Sequence, residues 1–363
     1  IEKKGLRFAV VFGIVGVAIS ALLRVLVRGH ENTWIIYVAQ SLNACMGPVA
    51  LSLPPRISAV WFGPEERATS TAISTLANWG GSAVGFLLGL AITHESQIPL
   101  LMYAHAGVTT LTALSIILYF PEKPPTPPAA SSEISESEKS ASSRNLTAQR
   151  KIGRDLKELF TNPSFMVICL VGGISSGIFG TWTALFDVLL HPLHFSQSDA
   201  AWFGFGSIIG AIVGGLIFGK IADLWPKHLK ILSISAFVLS TLSLLWFTFQ
   251  VEGYVYSNFW LVMASIAITG GCFVGVAPLF LEFAVEVTYP VPESTSGAMM
   301  TLMINLGGLA FVLAADLLSP HTINWMNCFS SLGFMLVLLF AKEEYRRANI
   351  DSRNQQPVIN QSS

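Results

Sequence analysis

The chain has 363 residues, 52% of them hydrophobic and only 12% charged, with a formal net charge of -1. A water-soluble domain carries about 25% charged residues, so most of this surface is not built to face water, and the charge balance gives a nucleic-acid partner no footing. Cys45, Cys169, Cys272 and Cys328 stand far apart in apolar runs, without the spacing of a metal site or a disulfide framework.

The opening Ile1-Glu2-Lys3-Lys4-Gly5 has neither an initiator Met nor the ordered regions of a signal peptide, and reads as the start of a piece of a longer protein. Beyond it, apolar runs recur. A bilayer core of about 30 Å takes roughly 20 apolar residues as helix, because no unpaired backbone group can face lipid. The runs predict ten spanning helices, over 7–27, 34–60, 67–92, 98–120, 164–190, 199–224, 229–250, 258–286, 295–318 and 322–341. Gly47-Pro48 and Pro54-Pro55 should kink the second of them.

Between the fourth and fifth spans the composition changes. Pro121-Glu-Lys-Pro-Pro-Thr-Pro-Pro is stiff, and Ser131–Ser143 is rich in Ser and Glu and expected to be disordered. After it, Ile152, Leu156, Leu159 and Phe160 recur at helical spacing among Arg150, Lys151, Arg154 and Lys157, the pattern of a basic amphipathic helix lying on a membrane surface. The expected organisation is four helices in 1–120, a linker in 121–163, six helices in 164–341 and a tail in 342–363. If the chain weaves ten times, 19 of its 21 Lys and Arg residues fall on one side, and only Arg24 and Arg28 on the other. That bias places both ends of the chain and the linker in the cytosol.

Gly219-Lys-Ile-Ala-Asp223-Leu-Trp-Pro-Lys227 occupies the place of the Gly-x-x-x-Asp-x-x-Gly turn of the major facilitator superfamily, with Pro226 standing where that family favours Gly. Glu2-Lys-Lys-Gly-Leu-Arg7 looks like the tail of the same turn in the first half. Trp61-Phe-Gly-Pro-Glu-Glu-Arg67, Ser196-Gln-Ser-Asp199-Ala-Ala-Trp202 and Glu282-Phe-Ala-Val-Glu286-Val-Thr-Tyr289 resemble the solute carrier family 49. The resemblance implies an all-α polytopic major facilitator fold with ten of twelve transmembrane helices present. It also implies a lysosomal, proton-linked carrier of vitamin B6 (pyridoxine), with sister carriers associated with choline, ethanolamine or haem. Gly219, Asp223 and Lys227 would then belong to the conformational gate.

Ionisable groups inside a span are expensive and usually face a cavity or a partner. Glu282 and Glu286, four apart on one helix face, suit proton coupling, since neighbouring carboxylates raise each other's proton affinity; the alternative is a headgroup-level pair shaping the turn at Tyr289. Asp187, near His191 and His194, could sense an acidic lumen, or these could be wet loop residues. His105 lies mid-span, as a titrating or a packing residue. For substrate, Gln40 and Asn43 share a face and offer neutral hydrogen-bonding groups. Asn78-Trp79 and Trp182 fall in spans that line the central cavity of the superfamily, where an indole can stack on a pyridine ring; the choline-type relatives carry Gln where Trp79 stands. Gly206, Gly210 and Gly214, like Gly81, Gly85 and Gly89, repeat every four residues and should make close helix seams.

The reading is a carrier working by alternating access, with a small-molecule substrate, protons and the lipid bilayer as partners, no cofactor and no enzymatic chemistry. Its rivals are a choline, ethanolamine or haem carrier, and a non-transporting membrane sensor or scaffold acting through the linker.

Overall fold

The computed structural model describes residues 5–27, 32–62, 67–92, 94–125, 145–225, 227–291 and 293–346. The Ser/Glu-rich stretch expected to be disordered and residues 347–363 of the expected tail lie outside the described residues. Helix follows helix: α1 (Leu6–Val25), α2 (Trp34–Trp61), α3 (Arg67–Leu90), α4 (Ile98–Tyr119), α5 (Asn145–Thr161), α6 (Pro163–Ala184), α7 (Gln197–Leu224), α8 (Leu229–Val251), α9 (Phe259–Phe273), α10 (Ala277–Thr288), α11 (Glu293–Ala315) and α12 (Pro320–Leu338). No strand occurs among the described residues.

These helices cover the ten predicted spans. Seven helical segments among the described residues are long and apolar enough to cross a membrane by length and composition alone. The helix α12 is absent from these seven because His321, Asn324 and Asn327 dilute its first half. The expected span 258–286 is two helices, α9 and α10, interrupted at Val274-Gly275-Val276. Conversely, α2 keeps its helical pattern through Pro48, Pro54 and Pro55.

The helix starts follow from their caps. Asn162, Asn258 and Ser319 accept from the backbone N–H of Phe165, Leu261 and Thr322 at 3.1, 2.9 and 3.3 Å. Ser196 and Asp199 form the reciprocal capping box that Ser-x-x-Asp predicts, at 3.2 and 2.9 Å.

The chain divides into two compact units. The first comprises Ile1–Asn78 and Ala91–Arg144, the second Trp79–Leu90 and Asn145–Ser363. The division falls within α3 because its second half packs with the later helices: Trp79 lies against their core and Phe86 covers Gly204.

In the first unit α1 packs on both α2 and α4, and its buried apolar residues are mostly small, such as Ala9, Ala18, Ala21, Ala39, Ala106 and Ala113. In the second unit the core is aromatic. Trp182 is fully buried, with Phe186 and Phe247 edge-on to its ring at 4.8 and 5.2 Å between centroids. A glycine seam closes α7 onto α9: a Cβ on Gly210 or Gly214 would lie 2.1 or 2.2 Å from the carbonyl oxygen of Ala267 or Gly271. The second expected seam is not formed among the described residues, where Cβ atoms on Gly81, Gly85 and Gly89 would meet nothing within 4 Å.

Candidate functional site

Each unit has a linker end, where α1, α6 and α8 begin and α4 and α12 finish, and the same chemistry closes it in both. A helix start leaves backbone N–H groups unpaired and a helix end leaves carbonyls unpaired. In the first unit the Glu122 carboxylate, just past α4, accepts from Leu6 N at 2.7 Å and Arg7 N at 2.9 Å, and Arg7 Nη2 donates to Ile117 O of α4 at 3.0 Å. Gly5 permits this approach: its φ is +88°, and a Cβ there would collide with the Glu122 carboxylate.

In the second unit Tyr345 and Glu343, past α12, accept from Leu229 N at 3.0 Å and Lys230 N at 3.2 Å, while Lys230 Nζ donates to Leu339 O at 2.8 Å and Ala341 O at 2.7 Å. Tyr345 donates its hydroxyl hydrogen to Glu343. Burial, followed by that hydrogen bond, pushes the Tyr345 hydroxyl above the usual phenol range.

The proton-coupling candidates separate in this frame. Glu286 is 8% exposed, and its charge acts on Tyr345 at the linker end of the second unit. Glu282, one turn earlier on α10, is exposed. Asp187 stands exposed on a helical turn, Phe186–Leu189, that follows α6, and His191 and His194 are exposed just beyond it. His105 is exposed on α4 of the first unit.

The substrate candidates are distributed over both units. Gln40, exposed, and Asn43, half-buried, lie on α2 of the first unit, where Gln40 Oε1 accepts from Arg24 Nη2 at 2.6 Å. Asn78 is exposed and ends the first unit's share of α3; Trp79 is half-buried and begins the second unit's share. Trp182 differs from the expectation of a platform open to a ligand: with Phe186 and Phe247 against its ring, it is a wall of the second unit's core. Its indole N–H is buried without a hydrogen-bond partner.

Among the gate residues, Gly219 and Asp223 lie in the last turns of α7; the Asp223 side chain and Pro226 are outside the described residues. Lys227 takes a left-handed backbone, φ 66°, two residues before α8.

Two features escaped sequence reasoning. One is the break between α9 and α10, for which Gly270-Gly271 and Gly275 were the available signal; carriers use interrupted helices at solute sites. The other is Arg24, set aside as an end-of-span charge although it reaches into the first unit.

The sequence profile of the Major Facilitator Superfamily matches residues 1–315. A solute carrier family 49 member 4 homolog of Xenopus laevis is 31% identical over 386 residues, covering 96% of this chain and 79% of the relative. The choline/ethanolamine transporter FLVCR1 of Felis catus is 28% identical over 367 residues, covering 97% of this chain and 63% of the relative. Among solved structures, the fucose:proton symporter FucP of E. coli superposes with a TM-score of 0.60 at 14% identity, covering 94% of this chain and 85% of that one, a likeness of fold.

Proposed function

Because the chain belongs to the major facilitator superfamily and, within it, to the solute carrier family 49, we propose that it carries a vitamin B6-like solute, coupled to protons, by alternating access across a lysosomal membrane. Membership makes it a multi-pass membrane transporter and not an enzyme; the solute, the coupling and the organelle are the proposal. The observation that supports it most is the breadth of the likeness to solute carriers, 31% identity spread over 96% of the chain, on an all-helical fold.

In this reading the linker end of each unit faces the cytosol, as the positive-residue bias requires, and α5 lies on the inner leaflet. The helix suits that place: Leu159 is buried in the second unit's core, which leaves Leu156 and Phe160 exposed on a neighbouring flank. Glu282 and Glu286 would exchange the coupled proton, with Asp187 and His105 as further titrating groups. Gln40, Asn43, Asn78 and Trp79 would meet the solute, Trp182 would back it from within the core, and Gly219, Asp223 and Lys227 would serve the gate.

A second reading, a choline or ethanolamine carrier, is favoured by the relatives named for those solutes. Uptake of labelled pyridoxine and labelled choline, measured with the donor side at about pH 5.5 and about pH 7.5, separates the two. The first reading expects pyridoxine uptake that rises with acidity, a Glu282→Gln variant that loses this dependence, and a Trp79→Ala variant whose half-saturation weakens by about two- to tenfold, the worth of one aromatic stack. Choline uptake without pyridoxine uptake would establish the second reading, and pyridoxine flux indifferent to pH would remove the coupling.

A further inference from the structure

Arg24 is the next-to-last residue of α1. A charged side chain so near a span's end normally extends outward into the headgroups. Here it does the opposite. Its guanidinium donates to Gln40, six residues into α2 and hence about 9 Å from that helix's start. His105 lies seven residues into α4, about 10 Å from the start of that helix, which packs on α1, and within reach of the Arg24 charge. Three helices of one unit, α1, α2 and α4, therefore carry polar groups at one level, inside the end of α1.

The helix faces separate this cluster from an apolar surface groove. Between α1 and α4 runs an apolar groove of about 440 Å³, lined by Leu22 and Val25 with Tyr103 and Gly107. At 100° per residue, Arg24 stands 200° around α1 from Leu22, and His105 stands 200° around α4 from Tyr103 and Gly107. Both side chains leave their helices away from the groove.

The donor inventory then defines a ligand. Arg24 has five N–H groups, of which Gln40 takes one. With its Oε1 committed to Arg24, Gln40 has only its amide N–H₂ left to offer, and His105 adds a ring N–H. Among the described residues no carboxylate pairs with Arg24. A cluster of donors around an uncompensated guanidinium suits a group that is all acceptor and negatively charged; a quaternary ammonium would meet repulsion.

We propose that Arg24, Gln40 and His105 form an oxyanion subsite that holds a carboxylate or phosphate group. The assignment to the transported solute rests on the transport reading above; the same chemistry would also take the phosphate of a lipid headgroup, and the experiment distinguishes the two sources.

The full chain is purified into phosphatidylcholine nanodiscs and titrated with nicotinate and with nicotinamide, a carboxylate and its neutral isostere on one pyridine ring, using the thermal unfolding midpoint as the readout. Wild type should bind nicotinate about tenfold more tightly or better, and Arg24→Gln should bring the two within about twofold. Gln40→Glu keeps a partner for Arg24 while neutralising it, and should erase the preference even if Arg24→Gln fails to fold. No preference in wild type, or a preference that survives Gln40→Glu, removes the solute as its ligand, and overturns the subsite if Gln40→Glu also leaves the lipid arm below unchanged.

In a parallel arm the nanodiscs contain phosphatidic acid. If wild type and Gln40→Glu differ in retaining that lipid but not in binding nicotinate, the headgroup is the source and the solute assignment falls. Flux is read separately in proteoliposomes. If wild type moves neither probe nor pyridoxine while the nicotinate preference holds, the transport reading fails and the oxyanion subsite stands.

Discussion

The two units share their ends and differ in their interiors. In each, a carboxylate from the chain after the unit's last helix caps the start of an earlier one, Glu122 on α1 and Glu343 on α8, and the second residue of the capped helix, Arg7 or Lys230, closes carbonyls at the end of the last. The interiors have no such correspondence. The second unit is filled by Trp182 and a ring of buried phenylalanines, while the first buries mainly alanines and leaves Tyr37, Tyr103 and Tyr119 exposed. The comparison teaches that helix ends pose a fixed problem, unpaired backbone groups of known number and polarity, which admits few answers. Interior packing can be solved by many combinations of volume and need not repeat.

The largest effect should come from the seam that one region has and another lacks. Gly210→Val forces a side chain onto the backbone of Ala267, where nothing flexible can give way, and should cost at least about 1–3 kcal/mol, seen as a lowered unfolding midpoint and poor yield in detergent. Gly85→Val has the same helical spacing with open space around it and should leave the midpoint within about 0.5 kcal/mol of wild type. Equal damage from both would show that spacing, not contact, decides.

A middling effect should separate the two end clamps. Glu122→Ala orphans both N–H groups that its carboxylate holds and should cost about 1–2 kcal/mol. Glu343→Ala should cost less, because Tyr345 still accepts from Leu229. Tyr345 also gives this clamp a pH signature. Its folded pKa is raised, so its stabilisation is complete below the unfolded phenol value of about 10 and fades as pH climbs through the folded value. Unfolding midpoints followed upward from about pH 9 should fall more steeply in wild type than in Tyr345→Phe; parallel curves would remove Tyr345 from the clamp's energetics.

The smallest effect should be at the opposite end of the second unit, where His321 Nδ1 meets Glu252 Oε1 at 2.6 Å with the imidazole largely in solvent. Glu252→Gln should shift stability by no more than about 1 kcal/mol. A larger loss in the same melting assay would mark this contact as a working part of the carrier.

Much of the fold was legible because it is a one-dimensional property. Apolar runs long enough to span, a capping box such as Ser196-x-x-Asp199, and the uneven scatter of Lys and Arg can all be counted along the chain. The candidate site was legible only in residue type. Gln40, Trp79, Glu282 and Glu286 are the sort of groups a carrier uses, yet nothing in their spacing distinguished the buried Glu286 from the exposed Glu282 one turn away. Trp182 looked like a stacking platform until two phenylalanines closed over it. Arg24 looked like a boundary marker because its neighbour in space, Gln40, is sixteen residues away in sequence.

What the sequence determined alone is the solvent of this protein and its rhythm of crossings, since lipid selects for hydrophobic length and backbone self-satisfaction, and both are written locally. Tertiary structure decided which glycines touch another helix, which indole is core, where a span breaks, and that the Arg24 guanidinium bonds Gln40 of the next helix. Those outcomes depend on which faces meet, and a face acquires its environment only when residues distant in the chain pack against it.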